Sequence, residues 1–204
     1  MLDEWFSEQI QPLLKGKSFI VRYADDFVLG FTDKSDAERV MAVLPKRFAN
    51  YGLTLHAEKT KLIDLNSKRG GNGRSYDFLG FTHFLSKSRK GVTVLKRKTS
   101  TKRLTRAIMN VSNYIQKNRH MKLRDLIATL NVKLRGHYNY YGVTFNSRSL
   151  NGFFMAVKYR LFKWLNRRGG KIKLNWEKFS VYVDKYTPLV KPFIKHSYVS
   201  LSRT

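Results

Sequence analysis

Asp25 and Asp26 stand side by side in the run Phe19-Ile20-Val21-Arg22-Tyr23-Ala24-Asp25-Asp26-Phe27-Val28-Leu29-Gly30-Phe31. The residues on both sides are β-prone, so Ala24-Asp25-Asp26 reads as the tip of a hairpin. Two adjacent carboxylates repel unless a cation neutralises them. Phosphoryl transfer with two Mg²⁺ ions needs carboxylates held on such a scaffold, because the metals stabilise the attacking and leaving oxygens. An isolated Asp-Asp pair is more often an ordinary turn. Here Tyr23-Ala24-Asp25-Asp26 lies between hydrophobic strands, which favours chemistry. His137 in Gly136-His137-Tyr138 has no nucleophile near it in sequence and reads as a packing or RNA-contacting histidine. There are five histidines without zinc-like spacing and no cysteine, which excludes disulfides and any Cys-ligated zinc or iron–sulfur site.

The elements that must present these residues follow from periodicity. Leu2, Trp5, Phe6 and Ile10 recur at helical spacing, closed by Pro12 and Gly16. After the hairpin, Ala37, Val40, Met41, Leu44, Phe48 and Tyr51 fit one helix face. That helix is expected to be capped by Ser35 or Asp36, bent or interrupted at Pro45, and ended by Gly52. Leu53-Thr54-Leu55 and Lys61-Leu62-Ile63 look like short strands, and Tyr76 to Leu85 with Gly91 to Leu95 like a further β pair. Beyond Lys96-Arg97-Lys98 the period becomes 3.6. Leu104, Ala107, Ile108, Val111, Tyr114 and Ile115 form one apolar stripe. Leu123, Leu126, Ile127, Leu130, Leu134, Tyr138 and Tyr141 form a second; Phe153, Phe154, Val157, Leu161, Trp164 and Leu165 form a third. Three amphipathic helices with short connections make a small bundle. The expected fold class is α+β, hairpins and one helix followed by an all-α bundle.

Charge separates the two parts. The chain of 204 residues carries 40 Lys+Arg against 14 Asp+Glu, a formal net charge of +26. Residues 1–66 hold 9 Lys+Arg and 10 Asp+Glu, whereas residues 67–204 hold 31 Lys+Arg and 4 acids. Small anionic metabolites do not require such an excess, but a phosphate backbone does. The junction, Asn66-Ser67-Lys68-Arg69-Gly70-Gly71-Asn72-Gly73-Arg74, reads as a basic loop. Lys102, Arg103, Arg106, Lys133, Arg135, Lys158, Arg160, Lys163, Arg167 and Arg168 lie largely off the apolar stripes. Tyr140, Tyr159 and Phe162 fall off the strongest stripe positions and are candidates to stack on unpaired bases. No apolar run approaches the ~20 residues needed to span a bilayer. A cytoplasmic, nucleic-acid-associated protein is expected.

At this point the sequence resembles the reverse transcriptases encoded by group II introns. Phe19 to Phe31 is similar to the palm motif with the Tyr-x-Asp-Asp core, and Gly52-Leu53-Thr54-Leu55 with Glu58-Lys59-Thr60 to the motif after it. Tyr76-Asp77-Phe78-Leu79-Gly80-Phe81 is similar to the primer-grip hairpin. Leu134-Arg135-Gly136-His137-Tyr138-Asn139-Tyr140-Tyr141-Gly142 is similar to the maturase domain that serves as thumb. The resemblance implies a bacterial RNA-directed DNA polymerase that uses Mg²⁺, binds its intron RNA and assists splicing and mobility. It makes Asp25 a catalytic metal ligand, Asp26 the second carboxylate, and Lys59 a cation near the departing pyrophosphate. It puts Tyr23 beside the primer terminus and makes Phe78, Leu79, Gly80 and Phe81 hold the primer strand. Lys102, Arg103, Arg106, Arg135, Tyr140, Lys163 and Arg167 are the expected RNA-binding residues.

The domains implied are 1–98, the later part of the palm with the primer grip, 99–184, the maturase or thumb bundle, and 185–204, a tail. The partners implied are intron RNA, an RNA/DNA template-primer and deoxynucleoside triphosphates, with no membrane; a homodimer stays open. The family palm also uses an Asp from an earlier motif and fingers that bind template and nucleotide. Some twenty residues before Tyr23 leave no room for either, so a truncated chain, inactive alone, is expected. With no cysteine in the chain, no counterpart of the family's zinc-containing endonuclease domain is expected. Two other readings remain: a non-enzymatic RNA-binding maturase-like module, and a fragment of a retron or CRISPR-associated reverse transcriptase.

Overall fold

The computed structural model of the chain describes residues 2–66, 75–88, 90–169, 174–186 and 188–197. It divides into two compact units, Met1–Phe78 and Leu79–Thr204. The fold is mixed α+β, with helices following hairpins.

In the first unit, α1 (Leu2–Glu4) continues in π-helical turns through Trp5–Ile10 and ends in a 3-10 turn at Gln11–Leu13. Leu2, Trp5 and Phe6 are buried, as their spacing predicts, and form a core with Val40 and Leu44. Strands β1 (Ser18–Tyr23) and β2 (Asp26–Phe31) pair antiparallel with Tyr23 opposite Asp26, leaving Ala24-Asp25 as the turn. Alternation sends Ile20, Phe27, Leu29 and Phe31 to the core. The opposite face carries Phe19, Val21 and Tyr23, which are 52%, 48% and 66% exposed. The scaffold behind the carboxylates is therefore buried on one face only. Gly30 belongs to the exposed face too, where any Cβ would run into the Phe19 ring.

Helix α2 (Lys34–Ala49) follows, and its cap differs from the expected Ser35 or Asp36. Asp33 is the N-cap, its Oδ1 accepting from the Asp36 N–H at 3.0 Å. Asp36 turns inward instead: its Oδ2 accepts from the N–H groups of Lys15 and Gly16 at 2.8 and 2.9 Å. That buried carboxylate ties the approach to β1 onto the helix. Pro45 does not interrupt α2; it lies on the exposed side of the helix. There the carbonyl left without an N–H partner can be solvated. Gly52, at φ +68°, reverses the chain, and the Leu53 N–H bonds back to the Phe48 carbonyl at 3.0 Å. Leu53–Leu55 and Lys61–Ile63 are not strands, because no neighbouring ladder offers them hydrogen bonds. The expected basic loop falls at 67–74, outside the described residues. Strand β3 (Ser75–Phe78) completes the unit.

The second unit opens at a turn. The Tyr76–Leu85 segment is two strands, because Leu79 and Gly80 both have positive φ, +49° and +78°. β4 (Phe81–Lys87) then pairs antiparallel with β5 (Thr93–Thr99), with Phe81 opposite Thr99. The three expected helices are α3 (Thr101–Lys117), α4 (Leu123–Tyr141) and α5 (Ser147–Leu165). All three apolar stripes meet in one core in which Ile115, Leu126, Leu130, Tyr138, Leu150, Phe153 and Leu161 are essentially fully buried. A fourth helix, α6 (Trp176–Tyr186), joins them through Phe179 and Val183. Among the described residues, no helix is long and apolar enough to cross a membrane.

Candidate functional site

The β1–β2 turn presents its carboxylates without partners. Asp25 occupies the turn and Asp26 the first position of β2, and both are exposed. The nearest cation in sequence is engaged elsewhere. The Arg22 guanidinium donates to both oxygens of Asp3, from Nε at 3.1 Å to Oδ1 and 2.8 Å to Oδ2 and from Nη2 at 2.6 Å to Oδ2, and its Nη1 donates to the Ala24 carbonyl at 3.1 Å. That hydrogen-bonded pair holds the Asp3 carboxyl below its ordinary pKa. It also braces the turn from the strand side, so Ala24 keeps its φ of +53°. Asp3 is thus a counter-ion of the hairpin and not part of the carboxylate pair.

The donor chemistry at this turn fits a hard divalent cation. Mg²⁺ takes oxygen ligands and is commonly held by one or two carboxylates, with waters and phosphates supplying the rest. Two unengaged carboxylates on a turn held by Arg22 meet that demand in part. Among the described residues, no group of three or more His, Cys, Asp or Glu side chains could close a metal site. Tyr23 is 66% exposed, on the sheet face it shares with Asp26. Lys59 is exposed on a turn fixed by bonds from the Lys59 and Thr60 N–H groups to the His56 carbonyl, each 3.0 Å.

Of the four residues expected to hold the primer, Phe78 ends β3 partly buried, while Leu79, Gly80 and Phe81 begin the second unit. Phe81 is only 9% exposed. Its ring stacks on Tyr140 at 5.9 Å and meets Tyr141 edge-on at 5.2 Å. The Tyr140 hydroxyl donates to the Leu79 carbonyl at 2.9 Å. Tyr140 therefore spends part of its ring and its polar tip on the turn, although it is 54% exposed.

The cationic candidates are mostly displayed. Lys102, Arg103, Arg106 and Arg135 are exposed, Lys163 is partly buried, and the Arg167 guanidinium lies 5.1 Å over the Trp164 ring. Two other off-stripe cations are engaged. Lys158 is buried and ion-paired to Asp184 at 3.0 Å, and the Arg168 guanidinium donates to the Met121 carbonyl at 2.9 Å. Phe162, a stacking candidate by spacing, is covered by Trp176 and Phe179 of α6 at 5.2 and 5.3 Å. Tyr159 remains 54% exposed. His137 stacks on Phe153 at 3.9 Å and tilts against Tyr141 at 4.6 Å. Burial pushes its imidazole down to about 4, and its Nε2 has no hydrogen-bond partner. It is a neutral packing residue near pH 7.

The residue that sequence reasoning missed is Asn146. It is fully buried, its Oδ1 accepts from the Thr99 N–H at 2.8 Å, and its Nδ2 donates to Thr99 Oγ1 and the Tyr141 carbonyl, each at 2.8 Å. The only signal was an Asn just before a helix, where a capping role would be assumed.

These two units correspond to known families. Residues 1–83 match the family model described as reverse transcriptase (RNA-dependent DNA polymerase), which places the hairpin unit in the nucleotidyltransferase class. Residues 101–182 match the one described as group II intron, maturase-specific domain. With both in that order, the chain belongs to the group II intron reverse transcriptase/maturases. No curated protein matches it. The two domains imply nucleic-acid partners, and reverse transcriptases generally use Mg²⁺.

Proposed function

We propose that this chain supplies the metal-binding hairpin and the RNA-binding thumb of a group II intron reverse transcriptase. Asp25 and Asp26 would hold Mg²⁺, which when bound supplies charge stabilisation at the transferring phosphoryl group. Tyr23 packs beside the primer terminus, and Lys59 offers a cation to the departing pyrophosphate. Phe78, Leu79, Gly80 and Phe81 form the primer-holding segment, within a functional division at 98/99. The basic faces of α3 and α4, with Lys163 and Arg167, bind intron RNA and template through phosphate neutralisation. The protein works in the cytoplasm on intron RNA, with deoxynucleoside triphosphates as substrates.

The observation that carries this reading is the pair of unengaged carboxylates on a braced turn. A complete metal centre needs at least one further carboxylate, so primer extension by the chain alone is expected to be absent. Adding a polypeptide that carries the earlier palm and fingers is expected to restore Mg²⁺-dependent extension on an RNA template, and Asp25→Ala to abolish it. Extension by the 204-residue chain alone, or extension that survives Asp25→Ala, overturns the assignment. RNA binding without extension in the completed mixture favours a non-enzymatic maturase-like module.

A further inference from the structure

The turn at Leu79-Gly80 is held in an uncommon way. Both residues sit in the left-handed region, as a type I′ hairpin turn requires, and a leucine adopts that conformation only at a cost. The groups around the turn bear on that cost. Both turn carbonyls are taken: Leu79 O accepts from the Tyr140 hydroxyl on α4, and Gly80 O accepts from the Ser100 N–H at 2.9 Å, one step beyond the Phe81–Thr99 pair of the β4–β5 ladder and just ahead of α3. Space is equally constrained. A Cβ on Gly80 would lie 3.0 Å from the Tyr141 hydroxyl and 3.7 Å from Arg103 Cγ.

Asn146 extends the same bracing, joining the end of β5 at Thr99 to the end of α4 at Tyr141. The turn, the β4–β5 hairpin and the adjoining ends of α3 and α4 are therefore one hydrogen-bonded piece. A purely base-stacking tyrosine would need neither the hydroxyl contact nor the stack on Phe81.

We propose that Tyr140 is a positioning residue: its hydroxyl sets the Leu79-Gly80 turn against α4, so that the primer-holding turn and the basic helices move as one body. This rests on the reading of Leu79-Gly80 as primer-holding. Tyr140 acts on the primer through the turn and not by touching a base.

The test uses the full chain and two fluorescent probes, an RNA with a recessed annealed DNA primer and the same RNA unprimed. Anisotropy gives the ratio of their affinities. Tyr140→Phe keeps the ring on Phe81 and removes only the hydroxyl, and is expected to lower the preference for the primed probe about fivefold, the worth of one hydrogen bond. Ser100→Pro removes the other donor at a residue whose φ of −62° suits proline, and is expected to lower the ratio in the same direction. Amide exchange at Gly80 and Phe81 is expected to quicken in Tyr140→Phe while the helical circular dichroism is kept. An unchanged ratio in both variants overturns the proposal, as does an equal loss on both probes, which marks Tyr140 as a direct RNA contact. A wild-type chain with no preference for the primed probe overturns the functional reading itself.

Discussion

His137 lends itself to a quantitative test. Its ring lies between Phe153 and Tyr141 inside the helical unit, and burial lowers its pKa from 6.5 to about 4. Between those two values the unfolded chain binds a proton at this side chain that the folded chain excludes. The resulting stability is fully present above 6.5 and is lost progressively as the pH falls toward 4. At about 1.4 kcal/mol per pH unit, that interval caps the loss at roughly 3 kcal/mol. His137 is only partly buried as a residue, which brings the expected loss to about 1–2 kcal/mol. Asp3 and Asp33 also have lowered pKa values. Their contributions disappear as the pH falls through their own folded values, below the ordinary carboxylate value of 3.8 and therefore below most of this window. Urea unfolding followed by far-UV circular dichroism, at steps from above 6.5 down to about 4, measures the dependence. His137→Phe keeps an aromatic ring against Phe153 and removes the titration, so its stability is expected to fall less across the window by that same amount. Identical pH dependences for the wild type and His137→Phe would refute the argument from burial.

Asn146→Ala strands the buried Thr99 N–H and takes a partner from the Thr99 hydroxyl, while the Tyr141 carbonyl still accepts from the Val143 N–H; it is expected to cost about 2–3 kcal/mol in chemical denaturation. A loss below about 1 kcal/mol would show that water satisfies those groups. Lys102, Arg106 and Arg135 are exposed on α3 and α4, so reversing all three to Glu is expected to weaken RNA binding and flatten its dependence on log salt by roughly 0.7 to 0.9 per lost phosphate contact. Binding titrations over a salt series check this, and an unchanged slope would place the contacts elsewhere.

Local order was legible in the residues wherever one rule governs it. The 3.6 period of residues 104–165 forces three apolar stripes to seek one core, and all of them share it. The β1–β2 hairpin with Asp25 at its turn follows from β-branched and aromatic runs around Ala24-Asp25, and Gly52, at φ +68°, turns the chain just past the Asn50 C-cap of α2, as a glycine there can. The family itself was readable from Tyr23 to Asp26 and from Leu134 to Gly142, since chemistry and binding restrict residue types more tightly than packing does. Other features depended on what the chain meets in space. Leu53–Leu55 and Lys61–Ile63 have strand-like composition, yet a strand exists only where another edge accepts its hydrogen bonds. Whether Asp33 or Asp36 caps α2 was decided by which carboxylate the Lys15 and Gly16 amides could reach. Lys158 reads as a solvated cation until α6 brings Asp184 to it, and Phe162 as a free aromatic until the same helix covers it. Tyr140, Ser100 and Asn146 come from distant parts of the chain, and only folding brings them onto Leu79, Gly80 and Thr99. A periodicity lies within one segment, whereas a hydrogen bond between residues 47 or 61 apart in the chain leaves no pattern along either segment.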